Sequence, residues 1–308
     1  MTIVNISAAD ANRRLDKFLM QYLNEAPDNF IHKMLRKKNM KLNGVVAKGS
    51  ELLNAGDELK LFLADETIAK FRKERQIAEA KPLTDIIFED VNLLIVNKPA
   101  GIPSHGGMKD KDDHLLARVL YYLKETGAYN PSDNFVPALC NRLDVNTSGL
   151  VICGKTLHAL QDMNALFANR GVEKEYLTIV DGEVGKVGRN RVLRGYYQKD
   201  NKNNVAKIVT DENDMPVTTA YTVLAVSEDK KYSLLAVNPI TGRSHQIRAH
   251  LSAMGHPLMG DNKYGGSHKF AQFLHCKRLS VPDSDKFWEA PLPQKFQKIV
   301  NTIFGGMK

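Results

Sequence analysis

One carboxylate stands out for its setting. In Asn141-Arg142-Leu143-Asp144-Val145-Asn146-Thr147-Ser148-Gly149-Leu150 a polar loop runs straight into the apolar Val151-Ile152-Cys153, which seats Asp144 at the edge of a core strand, where a reactive side chain can be held still. Such a group can act as a nucleophile or as a general base. The same residues also suit an Asx turn or a cap for Val145 to Gly149, so the loop alone does not decide. An enclosed carboxylate that must stay ionised at neutral pH works against desolvation and needs a cation nearby. Arg248, at the end of Thr241-Gly242-Arg243-Ser244-His245-Gln246-Ile247-Arg248, meets that need, although an arginine there also suits a surface ion pair or a phosphate contact.

Other combinations carry less. His245, His250 and His256 do not have H-E-x-x-H spacing, and Gly255-His256-Pro257 reads as a turn, so no metal site is expected. Gly182, Gly185 and Gly188 are spaced wrongly for a dinucleotide fingerprint and no G-x-x-x-x-G-K-[ST] occurs, so no nucleotide cofactor is expected either. Cys140, Cys153 and Cys276 are an odd number without C-x-x-C spacing, which argues against a disulfide framework or a zinc cluster. Cys140, four positions before Asp144, reads as a core thiol rather than a nucleophile.

The elements around these residues suggest two units. At 308 residues the chain exceeds what a single core usually supports. It has no apolar run of about 18 residues and no basic-then-apolar leader in Met1 to Asp10, so a cytoplasmic protein away from membranes is expected. The net charge of +8 favours a polyanionic partner. From Asn12 to about Leu63 the pattern predicts two short helices and a hairpin turning at Asn43-Gly44. Ile31, Met34 and Leu35 share one helical face while Lys33, Arg36 and Lys37 share another, which places the cations outward together on one basic face, as a solvated charged helix also would. Residues 64–82 read as a charged linker. Beyond it, Leu93-Leu94-Ile95-Val96 is a core strand ending at Asn97-Lys98-Pro99, and the polar stretch from Gly101 to Asp113 has the character of a segment that closes over substrate. Thr156 can cap a helix whose Leu157, Leu160, Met163 and Phe167 form a core stripe. Strands are expected over Lys174–Val180, Ala220–Val226 and Tyr232–Val237, with polar connections over Lys199–Asn204 and Asp211–Asp214.

Taken in order, Lys98-Pro99-Ala100-Gly101, the Asp144 loop, Lys174-Glu175-Tyr176 and Thr241 to Arg248 resemble the motifs of the RluA/RluC/RluD family of RNA pseudouridine synthases, from about Asp85 to about Arg278. Asn141 is a departure, since many relatives carry His there. The family implies an α+β fold: a small N-terminal RNA-binding module plus a catalytic domain with a mixed, largely antiparallel sheet around a central cleft. Arg14-Leu15-Asp16, the basic helix and Gly56-Asp57 resemble an S-four-type module over 12–63, which leaves the linker at 64–82 and the catalytic domain at 83–305. The implied reaction breaks the bond from ribose to the ring nitrogen of uridine, rotates the uracil and joins its fifth carbon to the sugar, with no cofactor. In that scheme Asp144 is catalytic, Arg248 pairs with it, and Tyr176 receives the flipped base. Arg142, Lys174 and Arg243, with Lys33, Arg36 and Lys37 on the module, would contact substrate. Gly260-Asp261-Asn262-Lys263-Tyr264-Gly265 resembles a late family element that supports the cleft. The module points to large-subunit ribosomal RNA or ribosomal precursor particles as partner. Transfer RNA modification and non-catalytic RNA binding in ribosome assembly are the alternatives, and a metal-dependent RNA hydrolase is disfavoured by the lack of clustered ligands.

Overall fold

The computed structural model describes residues 1–106, 113–200, 202–268, 270–282 and 284–305. The first unit is a four-stranded sheet, β1 (Thr2–Asn5), β2 (Met40–Leu42), β3 (Val45–Val46) and β4 (Glu58–Leu61), with helices α1 (Leu15–Tyr22) and α2 (Asp28–Arg36). Leu15, Phe18, Leu19 and Tyr22 recur at helical spacing and are all buried, together with Ile31, Met34 and Leu35 of α2 and Leu59 and Leu61 of β4. The hairpin turns at Asn43 and Gly44, both at positive φ (50° and 81°), so that Leu42 pairs with Val45 across a two-residue loop. β1 precedes the expected start of the unit. Helix α3 (Asp65–Phe71) occupies the front of the expected linker and lends Ile68 to this core, because an apolar residue in a charged stretch gains by burial.

The second unit carries an eleven-stranded sheet. Its strands are β5 (Ile86–Glu89), β6 (Leu93–Lys98), β7 (Ala138–Leu139), β8 (Ser148–Gly154), β9 (Glu173–Asp181), β10 (Asn190–Asp200), β11 (Val205–Val209), β12 (Met215–Val226), β13 (Tyr232–Pro239), β14 (Leu274–Ser280) and β15 (Phe287–Glu289). The main path runs β11-β10-β12-β13-β9-β14-β8-β6-β5, and among the described residues every ladder is antiparallel except β8 with β14. β8 is buried along its whole length, which is why its sequence is a near-continuous apolar run rather than an alternation. Two cores flank it. Helices α4 (Leu115–Glu125) and α5 (Leu157–Ala168) pack Leu115, Val119, Leu123 and Met163 on β6 and β8, and Thr156 Oγ1 caps α5 by accepting from Ala159 N–H at 3.3 Å. Helix α6 (Gln246–Ala253) packs Ile247 and Leu251 on β12 and β13, and α7 (Gln294–Phe304) packs Phe296 and Val300 against Leu177, Ile179 and Leu234.

The sheet halves meet where β14 lies parallel to β8. At Gly149, with φ +116°, a Cβ would stand 2.2 Å from the carbonyl oxygen of Cys276, so only glycine fits there. The Lys199–Asn204 stretch is partly strand: Lys199 and Asp200 end β10, paired with Ala206 and Val205. The closing segment expected at Gly101 to Asp113 falls outside the described residues over 107–112. No helix among the described residues is long and apolar enough to cross a membrane.

Candidate active site

Asp144 belongs to the loop that enters β8, and four side chains fix that loop. Asn141 donates its amide to Leu150 O (3.1 Å) and accepts from Ile152 N–H (2.8 Å), so the residue that departs from the family pattern ties the loop to the strand. Ser104 Oγ donates to Leu143 O (2.9 Å) and accepts from Leu143 N–H (3.0 Å). Gln272 reaches Thr147 Oγ1 at 3.0 Å. Lys98, fully buried at the end of β6, donates to Pro99 O, Ile102 O and Val145 O at 3.0, 2.8 and 3.1 Å. Burial pushes its pKa down to about 7 against the pull of the nearby Asp144 charge. The Lys98-Pro99-Ala100-Gly101 motif therefore serves as an anchor, and Gly101 N–H adds a bond to Val145 O at 2.8 Å.

The cation comes from the other half of the sheet. Arg248, on the first turn of α6, donates through Nη1 to Asp144 Oδ2 at 3.1 Å. Its stronger partner is Asp261, which takes Nε at 2.6 Å and Nη2 at 2.8 Å in a two-pronged pair. Burial works against the guanidinium charge, but Asp261 and then Asp144 outweigh it, so the pKa of Arg248 is raised. The Asp261 side chain is 1% exposed and that of Asp144 is 28% exposed, so one carboxylate is structural in its setting while the other opens to the cleft. Tyr264 lies under the guanidinium, 4.7 Å from its ring centroid, and the Gly260–Gly265 element thus supplies both an anion and an aromatic face to Arg248.

His245 is the N-cap of α6, in the left-handed region at φ +56°. Its Nε2 is 3.6 Å from Asp144 Oδ2 and its Nδ1 is 2.9 Å from Tyr264 Oη. Burial lowers its pKa, opposed by Asp144. Both near contacts of Asp144 thus converge on Oδ2, and among the described residues no hydrogen bond reaches Oδ1. Gln246 closes the turn before α6, accepting from Thr241 Oγ1 and Arg243 N–H (2.8 and 3.1 Å) and donating to Thr218 O and Thr219 Oγ1 (both 3.0 Å).

Asp144, His245, Gln246 and Arg248 line a cleft of about 570 Å³ that also takes in Arg142, Tyr176, Lys174 and Arg243. Tyr176, on β9, touches the core under α4 and α5 and the core under α6. Burial first, then Cys276 and the Asp144 charge, raise its pKa well above the ordinary tyrosine value, so the phenol stays protonated. Arg142 reaches Ser244 Oγ at 3.1 Å, linking the aspartate loop to the loop before α6. The Lys174 ammonium lies 5.9 Å from the Phe167 ring centroid, and burial lowers its pKa. Arg243 is exposed at the rim. Cys140 also lines the cleft, but burial pushes its pKa up to about 11 and keeps it a thiol. Lys33, Arg36 and Lys37 lie outside this cleft, exposed on or just beyond α2 with Ile31, Met34 and Leu35 turned into the core.

The family model described as RNA pseudouridylate synthase matches residues 92–253, the stretch that contains both Asp144 and Arg248. The chain is 30% identical to the ribosomal large subunit pseudouridine synthase C of Vibrio vulnificus, over 98% of this chain and 96% of that one. The chain belongs to the RluA-type family of RNA pseudouridine synthases. It is also 30% identical to the ribosomal large subunit pseudouridine synthase D of Borreliella burgdorferi, over 79% of this chain and 77% of that one. The solved structure of human RNA pseudouridylate synthase domain containing 4 shares the fold, with a TM-score of 0.56 at 23% identity over 70% of this chain and 92% of that one. The chain is by this membership an RNA pseudouridine synthase, an isomerase of uridine in RNA. The fold brings the motif residues Asp144, Arg248 and Tyr176 to one cleft and adds Asp261, Tyr264 and His245 to their surroundings. The signal for Asp261 and Tyr264 in the sequence is the Gly260–Gly265 element, whose resemblance implies support of the cleft but not a pairing with Arg248.

Proposed function

We propose that Asp144 is the reacting carboxylate of this pseudouridine synthase, with Arg248 holding it ionised and Tyr176 facing the extruded base, and that the substrate is large-subunit ribosomal RNA, free or in precursor particles. The observation that carries the reading is the one-sided tether of Asp144: Arg248 engages Oδ2 at 3.1 Å, and the group remains open to a cleft with Tyr176 in its wall. A carboxylate in that position can attack the glycosidic carbon or take a proton from the sugar, and either route frees the uracil to turn and rejoin through its fifth carbon. Arg142, Lys174 and Arg243 provide positive charge for phosphates around the target nucleotide. The names carried by the relatives support ribosomal RNA as the substrate. In this reading the first unit, over about residues 12–63, is an RNA-binding module whose Lys33, Arg36 and Lys37 meet phosphates, and the catalytic domain extends over about 83–305.

The test is pseudouridine formation by Asp144→Asn and Asp144→Ala at saturating RNA. Both variants should lose turnover while RNA affinity stays within a few-fold of the parent. Turnover by a folded Asp144→Ala protein near the parent's rate overturns the assignment, and mapping pseudouridine in cellular RNA with and without the gene identifies the substrate.

A further inference from the structure

We propose that His245 is a positioning residue for Asp144: as a neutral imidazole with its proton on Nε2, it joins Arg248 in holding Oδ2, so that Oδ1 is the oxygen that meets the sugar. The inference rests on Asp144 being the reacting carboxylate and adds which oxygen reacts and what orients it.

The tautomer follows from a chain of contacts. Tyr264 Oη accepts the backbone N–H of Ala206, in β11, at 2.8 Å. Its one proton is then available to donate, and the acceptor within reach is His245 Nδ1 at 2.9 Å. A neutral imidazole whose Nδ1 accepts carries its proton on Nε2. That N–H faces Asp144 Oδ2 at 3.6 Å, a separation longer than a formed hydrogen bond and of the kind that shortens when substrate closes a site. The two rings meet edge to face at 84°, which keeps the imidazole plane fixed. The left-handed backbone at His245 is an uncommon conformation for a residue with a Cβ, and such strain is found where a side chain has to be aimed.

The charged and titratable groups around the ring come from three elements. Asp144 faces it from the loop before β8, Arg248 from its own helix, and Asp261, Lys263 and Tyr264 from the Gly260–Gly265 element. Protonation would turn Nδ1 into a donor, so Tyr264 could no longer donate to it, and would place a second cation beside Oδ2. The carboxylate would then be less basic and a poorer nucleophile. Because Ala206 belongs to the β10–β11 hairpin, the same contacts tie the position of that hairpin to the orientation of Asp144.

The experiment measures single-turnover pseudouridine formation at saturating target RNA from about pH 5 to 9 for the parent, His245→Gln and Tyr264→Phe, with Asp144→Ala alongside. His245→Gln and Tyr264→Phe should each slow the reaction at pH 8 by roughly tenfold or more, the effect of weakening one charge-assisted hydrogen bond, with RNA affinity unchanged. The parent rate should fall on acidification through a group titrating below the ordinary histidine value, and His245→Gln should lack that limb. Nitrogen NMR of the parent should show the His245 proton on Nε2, a reading that needs no variant to fold. A parent-like rate with an unchanged acid limb in His245→Gln, or a proton on Nδ1, overturns the inference. Retained turnover in Asp144→Ala would instead sink the reading of Asp144 itself.

Discussion

Replacing Arg248 by methionine separates the two carboxylates that share it. The guanidinium makes two short hydrogen bonds to Asp261 and one longer bond to Asp144. Asp144, 28% exposed, can be rehydrated when the cation leaves, whereas Asp261, 1% exposed, cannot. The stability cost therefore belongs to Asp261, and stranding a buried charge of this kind costs about 3–5 kcal/mol. At roughly 2–4 °C per kcal/mol for a unit of this size, the melting temperature should fall by roughly 6–20 °C. A second substitution, Asp261→Leu, removes the stranded charge and should recover most of that loss, since an apolar replacement of a buried pair is often close to neutral. Activity should behave differently. Neither Arg248→Met nor the double variant gives Asp144 its cation, so both should be inactive in single-turnover pseudouridine formation. Thermal melts and turnover on the same samples make the comparison. Equal melting temperatures for the single and double variants, or recovered activity in the double, would refute the division of roles.

Two further outcomes are expected. Changing Lys33, Arg36 and Lys37 together to Gln should weaken binding of full-length RNA and flatten its salt dependence by up to about 0.7–0.9 in slope for each phosphate left unneutralised, with single-turnover rate at saturation unchanged. An unaltered salt slope would return α2 to a solvated surface. His275, buried and bonded to Ser148 Oγ at 2.9 Å, has its pKa lowered by burial to about 4, so between about pH 6.5 and 4 the unfolded chain binds a proton that the native one does not. Stability should thus be lost as pH falls through that window, at up to about 1.4 kcal/mol per pH unit from this group, and urea unfolding of His275→Asn should show a shallower slope than the parent, with an identical slope counting against it.

Local pattern revealed the elements whose signal is local. The Asn43-Gly44 hairpin, the Thr156 cap and the apolar run of β8 each follow from residues next to one another, and each is where the pattern places it. β1 and β14 were not legible in the same way. β1 has only four residues, alternating between half-buried and exposed, and its stability comes from pairing with β4 more than fifty residues away. β14 contains His275, Lys277 and Arg278, and it is a central strand because β9 and β8 flank it, not because its own composition is β-like.

The site divides along the same line. The resemblance of ordered motifs singles out Asp144, Arg248 and Tyr176, whereas the Asp144 loop by itself leaves a turn or cap as open as a reactive group. The partners that set their geometry are tertiary: Asp261 lies thirteen positions from Arg248, and the Asp144 loop and α6 belong to opposite halves of the sheet. Those halves are joined at the parallel ladder of His275 with Ser148 and Cys276 with Gly149. Gly149, five residues after Asp144, lets the Cys276 backbone come close enough to form that seam. The glycine in the aspartate motif is thus required for the seam that joins the half carrying the Asp144 loop to the half carrying α6, a constraint that a one-dimensional pattern contains but does not express as a distance.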